Sequence, residues 1–205
     1  VNGSSALAAA LAGFGAGASL IVAIGAQNAY VLRQGLRREH VLTIVVICVL
    51  SDVVLIVAGV AGIGALTRTA PVVLQIVRWA GAAFLLGYAA LAARRAVRGG
   101  AIGPAAASGS AWHTVVLTCL ALTWLNPHVY LDTVVVLGTL AAAHGSDGRW
   151  FFAVGAMLAS LCWFTALGFG SRVLSGVLSR PLAWRIIDSA IAVLMVVLAI
   201  ALLLG

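Results

Sequence analysis

Polar and apolar positions along the chain separate into six long apolar runs, roughly Ala6–Leu32, Val41–Leu66, Pro71–Ala93, Trp112–Leu140, Trp150–Phe169 and Trp184–Leu204. Each reaches the roughly 20 residues that an α-helix needs to cross the hydrocarbon core of a bilayer. The runs predict six transmembrane helices. Connections between them are short except at Arg94 to Ala111, which is rich in Gly, Ala and Ser and carries Pro104 and two further arginines, Arg95 and Arg98. That composition reads as a flexible surface linker. It divides the chain into a first three-helix repeat over 1–98, a cytoplasmic linker over 99–111 and a second three-helix repeat over 112–205.

The two triplets echo one another. Asn28-Ala29-Tyr30-Val31-Leu32 resembles Asn126-Pro127-His128-Val129-Tyr130-Leu131. Leu50-Ser51-Asp52-Val53 aligns with Leu161-Cys162-Trp163-Phe164, and Arg78 with Arg185. An odd number of crossings per repeat inverts the second repeat in the membrane, an architecture common in secondary transporters. The expected fold is therefore an all-α membrane protein of six transmembrane helices in two inverted repeats. Helices 1 and 4 are expected to be interrupted near Asn28 and Pro127. The G-x-x-x-G of Gly13 to Gly17, and Ala58, Gly59 and Gly62 in the second run, read as close helix contacts.

Composition excludes a soluble module. The chain of 205 residues is 63% hydrophobic and only 8% charged, where a soluble domain carries about a quarter charged residues. Its net charge is +7, which on a soluble protein would point to nucleic acid. Here the arginines lie between apolar runs, so they set orientation instead. Arg33, Arg37 and Arg38, then Arg94, Arg95 and Arg98, then Arg172, Arg180 and Arg185 fall in or beside the odd loops; Arg68 and Arg149 fall in the even ones. The positive-inside rule puts the odd loops in the cytoplasm and both termini outside. Cys48, Cys119 and Cys162 each sit alone in an apolar run, and neither a disulfide framework nor a zinc site is expected. The first twelve residues lack the positive n-region of a removable signal peptide.

Chemistry concentrates in a few polar positions within the apolar runs. The first run ends in Gly25-Ala26-Gln27-Asn28. Two adjacent amides there are tolerated if they face a polar cavity or bond backbone groups freed by a helix break. The fourth run carries Leu125-Asn126-Pro127-His128, and Pro127 removes a backbone donor and clashes with the preceding turn. Interruptions at matching positions of two halves are a pointer to a transporter's binding site. Asp52, near the middle of the second run, and Asp132, beyond the break in the fourth, are isolated carboxylates. A charge at mid-membrane costs about 2.5–3.5 kcal/mol on insertion scales. A proton, a cationic ligand or an arginine such as Arg78 must offset that cost. Substrate-binding candidates are Gln27, Asn28, Asp52, Asn126, Pro127 and Asp132; proton-coupling candidates are Asp52, Asp132 and His128. Arg185 and Asp188, three apart on the sixth run, read as a helix-surface ion pair. His40, His113 and His144 lie at run ends. Trp79, Trp112, Trp150 and Trp184 fall near boundaries, where indoles favour the interface. No nucleophile triad, phosphate loop or metal motif is present, so neither an enzyme nor a cofactor is expected.

Three stretches carry a resemblance: Gly25 through Leu36, Ser51-Asp52, and Thr123-Trp124-Leu125-Asn126-Pro127-His128-Val129-Tyr130-Leu131-Asp132-Thr133. Together they are similar to the LysE family of amino-acid exporters, in its lysine/arginine branch, over nearly the whole chain. A related threonine/homoserine branch has a Pro-Gly-Pro-type motif where this chain has Gly25-Ala26-Gln27-Asn28. The resemblance implies efflux of L-lysine or L-arginine across the bacterial inner membrane, driven by protons or membrane potential through alternating access. It also implies that Asn28, Asp52, Asn126 and Asp132 belong to the functional core. The partners expected are a cationic amino acid and membrane lipid, with a second copy in a homodimer allowed and no nucleic acid. Export of a neutral amino acid or a divalent cation is the alternative; metal would call for clustered ligands.

Overall fold

The structure is a computed structural model that describes residues 3–22, 25–62, 71–98, 111–126, 129–174 and 181–204. The linker over 99–110, Pro127, His128 and Arg68 lie outside the described residues, as do the side chains of Arg78 and Trp184. Among the described residues the chain is helical, without strands.

The first apolar run is two helices. α1 (Gly3–Ile21) ends before Gly25, and α2 (Ala26–Arg37) starts after it. Gly25 is extended, at φ −131° and ψ 176°, which stops helical propagation. The interruption thus falls just ahead of Asn28, which sits in the first turn of α2. α2 closes where Arg38 turns left-handed and its N–H reaches the carbonyls of Gln34 and Gly35. α3 (Val41–Val60) is the second run and α4 (Pro71–Arg98) the third. The fourth run is also divided. α5 (Trp112–Trp124) ends ahead of Asn126. The chain re-enters as a π-helical segment, Tyr130–Val136, which tightens into α6 (Leu137–Ala142). Gly145, at φ 77°, makes the turn into α7 (Gly145–Gly170), which a 3-10 turn, Ser171–Leu174, follows. α8 (Pro181–Leu204) ends the fold.

α1 lies along α7 with almost no side chain between them. A Cβ on Gly13 would collide with the Phe152 backbone, one on Gly17 would come 2.9 Å from Ala156 Cα, and one on Gly155 would meet the Ala10 carbonyl. The small residues do what small-xxx-small motifs do in membranes: they let backbones approach. In α3 the same work falls to Gly59, which faces the carbonyls of Thr133 and Val134 and meets Gly138. Gly62 departs from the expectation: it is exposed, has φ 88° and forms the turn that ends α3. α3 is central, touching α5, the π segment, α6 and α7, while α4 and α8 pack chiefly on each other.

One further expectation is corrected. Asp188 does not pair with Arg185. It faces inward, 3% exposed, and binds Arg33 at 3.1 Å and Arg95 at 3.3 Å, while Arg185 donates to the Ala96 carbonyl. The local i,i+3 rule assumes a solvated helix face, whereas this face of α8 is packed against α2 and α4. Cys48 and Cys119, each alone in its own run, come together in the fold: their sulfurs lie 3.5 Å apart between α3 and α5, as free thiols.

The outer surface is apolar: Leu42, Leu117 and Val193 are each about two-thirds exposed. α1, α3 and α7 are long and apolar enough to cross a bilayer, and shorter apolar stretches run over Trp112–Trp124, Asp132–Ala142 and Asp188–Val197.

Candidate functional site

Between the two helix breaks lies a cavity of about 280 Å³, near the lower end of the range for small-molecule sites, about 300–1,000 Å³. Its polar wall is Gln27 and Asn28 from the first turn of α2, Asp52 from mid-α3, Asn126 from just beyond α5, and Asp132 and Thr133 from the π segment. Leu20, Ile21, Leu137 and Phe164 supply apolar wall. Five of the six candidates from sequence, which lie up to about a hundred residues apart, therefore meet around one space. Pro127 lies outside the described residues, as does His128.

Each helix break has its own cap. The Asn28 side-chain amide donates 2.8 Å to the carbonyl of Ile21, a group that the end of α1 leaves without a helical donor. Trp163 Nε1, from α7, donates 3.2 Å to Asn28 Oδ1. At the second break the Tyr130 hydroxyl donates 2.7 Å to the Trp124 carbonyl, while Trp124 Nε1 donates 3.1 Å to Ser51 Oγ beside Asp52. Asn28 is thus a strut that holds the α1–α2 break open, with its carboxamide engaged by the protein.

Asp52 is 6% exposed, and Ser160 Oγ donates to its Oδ2 at 2.6 Å. No arginine pairs with it among the described residues; the expected alternative partner, Arg78, has its side chain outside them. A hydrogen bond to a charged group contributes about 1.5–3 kcal/mol, which offsets much of the burial cost. The buried Gln27 Nε2 has no hydrogen-bond partner among the described residues. The α2 N-terminus opens on the same cavity through Gly25 and Ala26, and its N-cap, Gly25, makes no side-chain cap bond. Its first N–H groups lack helical acceptors and carry the positive end of the dipole, which favours an anionic group. The cavity thus carries two carboxylates, groups that suit cations, and in the same wall donors that suit an anion.

The sequence reading missed Ser160, Trp163, Tyr130 and Thr133. A signal existed for the tryptophans: Trp124 and Trp163 lie within apolar runs, away from the interfacial boundaries where the other four sit.

A helical chain with an apolar exterior, two broken helices and a small charged cavity among its helices defines an integral membrane transporter. Residues 18–205 match the LysE type translocator family, and the chain belongs to it. It is a transporter, not an enzyme. The Corynebacterium diphtheriae lysine exporter LysE is 42% identical over 224 residues, covering 95% of this chain and 98% of that protein. The Yersinia enterocolitica arginine exporter ArgO is 46% identical over 184 residues, 89% of each. A candidate amino-acid transporter of Mycobacterium tuberculosis is 51% identical over 185 residues, 90% of this chain and 92% of its own length. No solved structure matches.

Proposed function

We propose that this protein exports a basic amino acid, L-lysine or L-arginine, across the bacterial inner membrane by alternating access. The observation that carries the reading is the convergence of Asp52 and Asp132 with the open α2 N-terminus in one cavity. A basic amino acid has a carboxylate, an α-ammonium and a cationic side chain. The carboxylate suits the α2 N–H groups and Gln27 Nε2, and the two cations suit the two aspartates and nearby backbone carbonyls. Relatives named for lysine and arginine export support the same substrate class.

The architecture that goes with this function is six spans in two inverted triplets, 1–98 and 112–205, around a cytoplasmic linker at 99–111. The similar breaks in the first and fourth runs support it, as do the two central helices α3 and α7, each beside the other half's broken helix. Lipid covers the exposed apolar side chains. Both termini face outward, and the arginine-rich odd loops face the cytoplasm. Asp52 and Asp132 are the groups through which proton coupling would run, with His128 as a third candidate.

Counterflow in proteoliposomes tests the substrate. Labelled lysine and arginine exchange, whereas labelled threonine and cadmium do not. Threonine exchange at equal rate would favour the neutral-substrate alternative. Cadmium exchange would favour the divalent one, for which no cluster of three metal-ligating side chains occurs among the described residues.

A further inference from the structure

The charged network around Asp188 lies outside the cavity, yet it is joined to it by one short helix. Asp188 Oδ1, on α8, accepts from Arg33 Nη1 of α2 at 3.1 Å and from Arg95 Nε of α4 at 3.3 Å. The Asp188 side chain is 5% exposed and those of the arginines 16% and 32%. Arg95 also stacks over Tyr88, 5.4 Å from its centroid. Three helices therefore share one carboxylate. α4 and α8 form a pair that packs chiefly on itself, and α8 also touches α2. α2 has 12 residues, about 18 Å of helix. Its first turn puts Gln27 and Asn28 into the cavity, and Arg33 sits about 7.5 Å further along.

We propose that Asp188 is a positioning residue for transport: with Arg33 and Arg95 it latches α2 to the α4–α8 pair and closes the cavity on the Arg33 side. The inference rests on the function proposed above, in which that side is cytoplasmic. The physical reason for a latch is the cost of the network. Buried ion pairs are poor general stabilisers, because desolvation consumes the attraction, but removing one partner leaves uncompensated charge. An element of this kind favours one arrangement over another more than it favours folding. α2 cannot swing away from α8 to admit substrate without separating Arg33 from Asp188. The network therefore biases the transporter toward the state closed on that side, and substrate entering from there must work against it.

The sign follows. Loss of the latch raises the population of the state open to the cytoplasm. Apparent affinity scales with the competent fraction, so KM for substrate on that face falls and KM on the opposite face rises. A coupling of ordinary size changes the ratio of the two constants by roughly tenfold from its wild-type value.

The test measures lysine and arginine transport in both directions in oriented vesicles bearing the full chain. Asp188→Asn strands two arginines and is liable to misfold. A second variant neutralises all three groups (Arg33→Gln, Arg95→Gln, Asp188→Asn) and leaves no stranded charge. Asp188→Glu keeps the carboxylate. The expected result is opposite KM shifts on the two faces in Asp188→Asn and in the triple variant, with Asp188→Glu close to wild type. KM values unchanged from wild type on both faces, or shifted in the same direction on both, in a stably folded triple variant, even with reduced Vmax, would overturn the latch. Failure of the wild type to move either amino acid would instead overturn the proposed function.

Discussion

Ser160→Ala tests how a membrane helix keeps a carboxylate. Ser160 is fully buried and its hydroxyl lies 2.6 Å from Asp52 Oδ2, which is itself in a residue only 6% exposed. The side chain of alanine occupies nearly the same volume, so packing barely changes. What goes is one donor to a charged group, about 1.5–3 kcal/mol. That is comparable to the roughly 2.5–3.5 kcal/mol cost of the carboxylate at mid-helix. The loss falls on charged Asp52, and so on its hold of a cationic ligand. At about 1.4 kcal/mol per decade it corresponds to roughly 10- to 150-fold weaker affinity. The assay is lysine counterflow across a concentration series, with size-exclusion profiles to verify folding. KM should rise at least about tenfold in Ser160→Ala, and Ser160→Thr should recover most of it. If KM in Ser160→Ala stayed at the wild-type value while Asp52→Asn abolished transport, the hydroxyl would not be what sustains the carboxylate.

Other substitutions probe the frame of the site. Asn28→Ala strands both the Ile21 carbonyl and Trp163 Nε1, and should lower thermal stability in detergent by about 1–3 kcal/mol per unpaired group; Trp163→Phe removes only one bond and should cost less. Gly59→Ala puts a methyl 2.7 Å from the Val134 carbonyl and 2.9 Å from that of Thr133. Overpacking of about 1–3 kcal/mol should displace the segment bearing Asp132 and cut the export rate, while Gly15→Ala, where a Cβ meets nothing within 4 Å, should export normally. Asp52→Asn should sharply cut export of a toxic arginine analogue and, where coupling runs through this group, flatten the dependence of the remaining transport on pH.

What could be read from sequence is what has an energetic signature without its partner. Asp52 and Asp132 stand out because a charge in hydrocarbon is costly wherever its neighbours are. Gln27, Asn28 and Asn126 stand out because amides beside Gly25 or Pro127 mark a backbone that cannot stay helical. Ser160 carries no such mark: its value comes from Asp52, 108 residues away in the chain, as Trp163's comes from Asn28 at 135. Local rules fail where tertiary packing outranks them, which is why Asp188 binds Arg33 and Arg95 instead of Arg185. The π segment over Tyr130–Val136 was equally silent, since one extra residue per turn leaves no trace in hydrophobic pattern. The apolar runs located the long helices among the described residues, and the amides after Gly25 marked the first break, but not which carbonyl Asn28 would cap.

Equilibrium binding of labelled lysine to the purified protein tests the central claim most directly. Saturable binding displaced by arginine but not by threonine, and lost in Asp52→Asn and Asp132→Asn variants that remain folded, is the predicted result. Binding that persists undiminished in both variants would mean that the cavity between the broken helices is not where a cationic amino acid is held.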